Sequence, residues 1–196
     1  MTQVVLQDDR LFIHDMTDAE FEEFCGQNQE HRIERTADGK VLVMPGTGFK
    51  TGLRNAGISA QLTVWARRDR RGGAVDSATT FRLPDKSMRM ANAAWVSRGK
   101  IESFSRADRE RFLSTCPDFV IELVSPSDQA AQPAAKMHDW INNGCQLGWL
   151  IDPAARTVAV YRREGIEILE SPTHVAGEHP VDGFVLDLTY IWEPGW

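Results

Sequence analysis

A single carboxylate inside an apolar strand is the feature that most constrains how this chain can fold. Residues 119–124 have the sequence FVIELV, in which every residue except Glu122 is apolar. Such a run predicts a short, fully buried strand. Burying a carboxylate costs free energy unless the group is paired or binds a metal ion. Two interpretations of Glu122 therefore stay open: a functional side chain, or a residue at the rim of the strand that reaches water.

A turn and a helix are predicted to follow this strand. Residues 125–128 (SPSD) are typical of a turn with a helix cap, and residues 130–143 indicate a helix with Pro133 in its first turn. Gly144 suits the C-terminal end of that helix. Lys136 comes about one helical turn after Pro133. We therefore expect the Lys136 ammonium and the Glu122 carboxylate to converge on one cleft, within water-bridged reach of each other.

Composition limits the class of protein. The 196 residues suit one domain (1–196), for which we expect an N-terminal extension over about 1–45, a core over about 46–162 and C-terminal strands over about 163–196. A net charge of −6 and a pI near 5.4 argue against a generally basic nucleic-acid-binding surface, although they permit a local basic groove. Three cysteines without CxxC spacing argue against a disulfide framework or a structural zinc site. Because no signal peptide or membrane-length apolar run is evident, we predict a cytoplasmic protein.

A helix and a hairpin are predicted near the N-terminus. Thr17 and Glu20 have the spacing of a capping box at the start of the helix. Residues 31–36 and 40–44 alternate on either side of an Asp-Gly pair, which indicates a β-hairpin. Glu34 lies in the first arm, where the pattern alone favours an outward-facing strand residue.

An arginine-rich run closes a helix predicted over residues 51–68. Arg67, Arg68, Arg70 and Arg71 occur within five residues, and Arg54 lies upstream on the same helix. These side chains are candidates for contacts with nucleic-acid phosphates. The default interpretation is a solvated helix end, where cations also complement the helix dipole.

The rest of the chain predicts further short elements. Strands are expected over residues 74–83, 91–96, 147–151, 157–161 and 166–169, and a short capped helix over residues 105–112.

A set of short motifs is distributed along the chain. The most specific motifs are PDFVIE at 117–122, SPS at 125–127, Lys136 and GWLIDP at 148–153. The others are RIE at 32–34, DG at 38–39, MP at 44–45, RN at 54–55, TFRLP at 80–84, AWV at 94–96 and YR at 161–162. Together with the order of elements, these motifs resemble the Uma-type restriction endonuclease family of the PD-(D/E)XK nuclease superfamily. The resemblance implies an α/β (α+β) restriction-endonuclease-like core with a mixed sheet flanked by helices, an N-terminal helix-hairpin extension and C-terminal hairpins.

A site for metal-dependent phosphodiester hydrolysis is what the resemblance implies. Glu122 matches the motif Glu, which would bind Mg²⁺ or Mn²⁺, and Glu34 matches a further acidic position. Val124 occupies the usual place of the motif Lys, so Lys136 on the following helix would supply the ammonium. Hard carboxylate oxygens suit Mg²⁺, and a bound dication activates water and neutralises charge on the phosphate. DNA as substrate and a homodimer are implied as well.

One departure from the family pattern affects the metal site. Where the family has Pro-Asp before the Ala-Trp-Val strand, this chain has Ala91 and Asn92. The implied catalytic set is then Glu122, Lys136, Asn92 and Glu34, with Glu122 and Asn92 as metal ligands and one negative charge too few. Gly57 also stands where relatives can carry an acidic residue, and Asp76 and Asp128 are nearby carboxylates outside the motif.

Three hypotheses for function follow. The first is a Mg²⁺-dependent DNA endonuclease with a degraded metal site. The second is a catalytically inactive nuclease fold retained as a nucleic-acid-binding or assembly module. The third is an interaction protein that binds no nucleic acid, which the acidic charge balance permits.

Overall fold

The computed structural model of the chain describes residues 5–7, 10–12, 16–44, 46–126 and 131–195. Asp128 and the second half of the predicted turn at 125–128 therefore lie outside the described residues. The strands, numbered along the chain, are β1 Val5–Gln7, β2 Arg10–Phe12, β3 Arg32–Arg35, β4 Val41–Met44, β5 Gly72–Val75, β6 Thr80–Arg82, β7 Met88–Met90, β8 Ala93–Ser97, β9 Phe119–Leu123, β10 Leu147–Asp152, β11 Thr157–Arg162, β12 Gly165–Glu170, β13 His174–Ala176 and β14 Val185–Asp187. The helices are α1 Asp18–Gln27, α2 Phe49–Asp69, α3 Arg98–Glu102, α4 Ala131–Asn142 and α5 Thr189–Trp192, with a 3-10 helix over Asp108–Glu110.

A six-stranded mixed sheet forms the centre of the fold. Its strand order is β12-β11-β10-β9-β8-β5. β9 and β10 run parallel and are connected through α4, whereas the other neighbouring strands run antiparallel. The predicted α/β fold, a mixed sheet flanked by helices, is confirmed.

Side-chain alternation along β9 assigns the two faces of this sheet. Phe119 and Ile121 lie in a buried cluster with residues of α2 and of the C-terminal segment. Val120 lies in a second cluster with residues of α4. Because successive side chains of a strand point to opposite faces, Glu122 shares the face of Val120 and is directed toward α4.

A second, four-stranded sheet brings the N-terminal hairpin to the core. Its order is β4-β3-β7-β6, so the predicted hairpin formed by β3 and β4 pairs with a strand that comes after α2. Arg35 lies opposite Met88 in this pairing. The capping box predicted for α1 is present, with Thr17 and Glu20 bonded to each other's backbone N–H groups.

Two predicted elements differ from the structure. Residues 74–83 do not form one strand, because Asp76 accepts a hydrogen bond from the Ala78 N–H (3.0 Å) and turns the chain between β5 and β6. Residues 105–112 form only one 3-10 turn, although Ser105 and Asp108 cap each other as the sequence suggests. The chain leaves the turn because Leu113 pairs with Phe81 at the edge of β6.

No helix within the described ranges is both long enough and apolar enough to span a membrane.

Candidate active site

Glu122 and Lys136 meet directly, at closer range than the water-bridged contact expected. The Lys136 Nζ atom lies 3.1 Å from Glu122 Oε1. The same carboxylate oxygen accepts a hydrogen bond from Trp140 Nε1 at 2.8 Å. Lys136 and Trp140 are four residues apart on α4 and therefore lie on one face of that helix, which packs over β9. Helix periodicity thus directs both donors to the buried carboxylate.

Glu34 completes the cluster from the second sheet. It is buried, its Oε1 atom accepts a hydrogen bond from Lys136 Nζ at 2.7 Å, and its Oε2 atom accepts one from Arg89 Nη1 at 3.1 Å. The outward orientation favoured for Glu34 is therefore wrong. Ile33 and Met88 pack together on one side of the four-stranded sheet, and Lys136 of α4 contacts Glu34 on the other side.

Electrostatics distinguishes the two carboxylates. Burial raises the pKa of Glu122 above its ordinary value of 4.5 and outweighs the opposite effect of the Lys136 ammonium. Burial acts in the same direction on Glu34, but Lys136 and Arg89 together hold its pKa below 4.5. Burial disfavours the charge of Lys136, yet the two carboxylates raise its pKa above 10.5. Glu122 is therefore the carboxylate that takes up a proton first on acidification.

Asn92 is fixed by neutral hydrogen bonds on both sides of its amide. Its Oδ1 atom accepts from the Leu123 N–H at 2.9 Å, and its Nδ2 atom donates to Asn55 Oδ1 at 3.0 Å. A backbone N–H can only donate, so the amide oxygen of Asn92 must face Leu123 and its NH₂ group must face Asn55. The side chain thereby joins the start of β8 to β9 and α2.

The residue of α2 that reaches this site is Asn55 and not Gly57. A Cβ atom added at Gly57 would lie 3.6 Å from Ile191 Cδ1, so this position faces α5. Two residues along a helix correspond to a rotation of about 200°, which places Gly57 away from Asn92. The interpretation of Gly57 as a lost acidic partner is therefore wrong. Asp76 sits in the exposed turn described above.

The side chains in their present arrangement do not fit a divalent metal ion. No group of three or more His, Cys, Asp or Glu side chains that could hold a metal occurs in the described part of the chain. Of the two predicted ligands, Glu122 is engaged by Lys136 and Trp140, and Asn92 is neutral and engaged by Leu123 and Asn55. Mg²⁺ and Mn²⁺ prefer sites rich in carboxylate oxygens that are free to bind, whereas Glu34 and Glu122 are already bonded to cationic side chains of the chain.

Arg54 has a structural role that the sequence did not indicate. Its Nε atom donates to the Ile191 carbonyl oxygen at 2.7 Å and its Nη2 atom to that of Trp192 at 3.4 Å. The guanidinium therefore holds α5 against α2. These contacts turn it toward the C-terminal segment and give no support to the predicted phosphate contact.

The arginine run lies at the far end of α2 from the carboxylates. Arg67 and Arg68 are exposed in the last turn, and Arg70 ends the helix in a left-handed conformation (φ 63°). Arg71 is paired with Asp69 at 2.7 Å and with Asp182 at 3.5 Å. Twelve residues separate Asn55 from Arg67, which is about 18 Å along a helix. The structure therefore does not bring the arginine run together with Glu122.

Several residues of the cluster were not identified from the sequence. Arg89 bridges Glu34 and Asp139, whose Oδ2 atom lies 2.5 Å from Arg89 Nη2. A signal for Arg89 was present, since it is a charged residue between Met88 and Met90, the same kind of pattern that drew attention to Glu122. Trp140 and Asp139 carried no comparable signal, because either residue is ordinary on an amphipathic helix.

Comparisons with known proteins agree with this architecture. The Uma2 family, described as "Putative restriction endonuclease", matches residues 18–189. The chain is also similar to a crystal structure at 1.96 Å resolution described as "a putative nuclease belonging to DUF820 from Anabaena variabilis ATCC 29413". That similarity has a TM-score of 0.70 at 18% sequence identity and covers 83% of this chain and 90% of the other. At this identity the similarity shows a shared fold. No curated protein matches the chain.

Proposed function

This chain belongs to the Uma2 family, described as "Putative restriction endonuclease", and from that premise we propose that it binds DNA at an endonuclease site with a degraded metal-binding centre. The protein would then engage DNA with little or no hydrolysis of phosphodiester bonds. The predicted homodimer, the cytoplasmic location and the division of the domain stay predictions.

The observation that carries this proposal is that Asn92 is neutral and that both ends of its amide are hydrogen-bonded within the protein. The motif position holds a neutral amide whose oxygen and NH₂ group are both committed to protein partners, Leu123 and Asn55. A dication in a partly buried site depends strongly on the number of negative charges around it. Replacing a carboxylate by an amide removes one of those charges at the position where the family pattern has an acidic ligand.

Family membership and the exposed arginines support the DNA partner. Arg67 and Arg68 are exposed, and no ion pair joins them or Arg70 to a carboxylate within the described ranges. Such side chains can each neutralise a phosphate and release counterions.

Duplex binding and cleavage by wild type and Asn92→Asp test the proposal. We expect wild type to retain a DNA duplex on a filter at low salt, to release it at higher salt, and to leave it uncleaved in Mg²⁺ or Mn²⁺. Asn92→Asp preserves the shape of the side chain, and Asn55 can rotate its amide to donate to the new carboxylate. We expect this variant to gain a metal-induced rise in Tm. Absence of DNA binding by wild type at every salt concentration would favour the interaction protein instead.

A metal-dependent endonuclease is the second candidate, and a specific observation favours it. Lys136 contacts both Glu34 and Glu122 directly, so three of the four residues of the implied catalytic set lie together. Robust Mg²⁺-dependent cleavage by wild type that disappears in Glu122→Ala would establish this candidate and exclude the proposed loss of hydrolysis.

A further inference from the structure

We infer that the Lys136 ammonium is the resident cation of the Glu34–Glu122 carboxylate pair and occupies the place that a bridging metal ion would need. The inference deepens the proposed function and rests on it only in taking this cluster as the endonuclease site. It concerns which cation lies between Glu34 and Glu122 in this chain.

The contacts of Lys136 are those of a cation in an oxygen-lined site. Its Nζ atom lies 2.7 Å from Glu34 Oε1, 2.6 Å from the Met90 carbonyl oxygen and 3.1 Å from Glu122 Oε1. An ammonium has three N–H donors, so all three are used. Two carboxylates and a carbonyl are also ligands that a hard dication takes. A metal ion bridging Glu34 and Glu122 would have to displace the ammonium.

The buried charges of the cluster balance without a metal ion. The Glu34 and Glu122 side chains are 3% and 7% exposed, and those of Lys136 and Arg89 are 17% and 10% exposed. Two negative and two positive charges sum to zero. Among the described residues, Asp139, which is 40% exposed, adds one negative charge beside this set, and half-buried Arg32, whose charge acts on Lys136, adds one positive charge, so the sum stays at zero. A dication added to this neutral set would leave two uncompensated positive charges in a buried place, which is costly.

This balance also accounts for Asn92. A carboxylate at position 92 would bring the buried sum to −1, and a neutral amide brings it to zero. The Asn at the motif Asp position and the presence of Lys136 are therefore related: with both, the side chains of the cluster neutralise one another's charge without a metal ion.

The charge count predicts an order of Mn²⁺ binding among four proteins. The buried sum is 0 in wild type, −1 in Asn92→Asp, −1 in Lys136→Met and −2 in the double variant N92D/K136M. Tm would be measured for each protein in EDTA and in millimolar Mn²⁺. We expect no shift for wild type, a small rise for each single variant, and a rise of at least about 5 °C for the double variant.

Two controls separate charge from general destabilisation. The double variant E34Q/K136M returns the buried sum to zero and should lose the Mn²⁺ response of Lys136→Met. Lys100→Met removes a lysine that pairs with the buried Asp118 at 2.9 Å outside the cluster, and it should show no Mn²⁺ response. If Lys136→Met does not fold in EDTA, Lys136→Gln provides a neutral side chain that still donates hydrogen bonds and carries the same buried sum.

The outcomes that overturn the inference are distinct from failure of the proposed function. A Mn²⁺ response of N92D/K136M no larger than that of Asn92→Asp alone would show that Lys136 does not occupy the metal's place. A Mn²⁺-induced rise in the wild-type Tm would show that the balanced cluster still accepts a dication. Filter binding of DNA by wild type is scored separately, so its absence would refute the proposed function while leaving the Mn²⁺ series readable.

Discussion

Glu34 and Glu122 contact the same ammonium, yet their protonation is linked to stability in opposite senses. Glu34 has a second cation in contact, Arg89, and its pKa is lowered, whereas Glu122 contacts the Lys136 ammonium and its pKa is raised by burial. A lowered carboxyl pKa means that the folded state favours the ionised form, and a raised one means that it favours the neutral form. Replacing each glutamate by its uncharged isostere, glutamine, should therefore change the free energy of unfolding differently at the two positions.

We predict that Glu34→Gln destabilises the protein at pH 7 and that Glu122→Gln does not. Glu34→Gln weakens charge-assisted hydrogen bonds from Lys136 and Arg89, and we expect a loss of about 1–3 kcal/mol in the free energy of unfolding. Glu122→Gln removes a buried charge that the fold disfavours, so its stability at pH 7 should equal or exceed that of wild type. Urea unfolding of the three proteins measures both effects.

The pH dependence of these stability differences follows from the directions of the two pKa shifts. The stabilisation from Glu34 is present above its unfolded pKa of about 4.5 and is lost as pH falls through its lower folded pKa, so the Glu34→Gln deficit should shrink in that acidic range. Ionised Glu122 costs stability above its raised folded pKa, and any gain in Glu122→Gln should vanish as pH falls from that value toward 4.5. A deficit of Glu122→Gln at pH 7 as large as that of Glu34→Gln would contradict this account.

At the scale of elements, the packing of α4 against the sheet leaves no free space for a side chain at Gly148 in β10. A Cβ atom at Gly148 would lie 2.3 Å from Met137 Cε and 3.3 Å from Val120 Cγ2. Met137 is fully buried and adjoins Lys136 in the chain. The terminal methyl group of Met137, the residue next to Lys136, therefore occupies the space that a side chain at position 148 would need.

We predict that Gly148→Ala lowers stability by about 1–3 kcal/mol, since it overpacks the interface of α4 with β10. The measurement is the urea-unfolding midpoint. Gly99→Ala on α3 is the matched control, because a Cβ atom there meets no heavy atom within 4 Å, and it should cause no loss. If Gly148→Ala unfolds at the wild-type midpoint, α4 can move outward and the close approach is not required.

Local sequence patterns predicted the individual helices and strands better than they predicted which strands pair with each other. The apolar run of β9, the glycine after the C-terminal end of α4, and the buried run of β10 are encoded within single segments, and the structure has them close to the predicted bounds. The pairing of β3 with β7 joins segments about 50 residues apart. Because that contact is not local, the sequence placed Glu34 on an outward face and did not identify Arg89. The resemblance to the family supplied Glu34 where periodicity alone did not.

At the scale of the whole molecule, three exposed arginines lie close together on a chain that is acidic overall. The net charge is −6, but Arg67, Arg68 and Arg70 are exposed at the C-terminal end of α2. Asn55 lies beside the carboxylate cluster, and the arginine group begins about 18 Å farther along α2. That distance is about half of one turn of a DNA duplex.

We predict that the triple variant R67Q/R68Q/R70Q binds DNA more weakly and with a smaller dependence on salt. Each arginine that neutralises one phosphate contributes about 0.9 to the slope of log K against log [salt], so losing three should lower its magnitude by about 2 to 3. Filter binding between low and moderate salt measures the slope. Arg71→Gln is the matched control, because Asp69 and Asp182 already pair with that guanidinium, and its slope should stay near the wild-type value.

An unchanged slope in the triple variant would mean that the run is only a solvated helix end. Equal losses in the triple variant and in Arg71→Gln would instead indicate that the end of α2, and not the free arginine charges, governs binding.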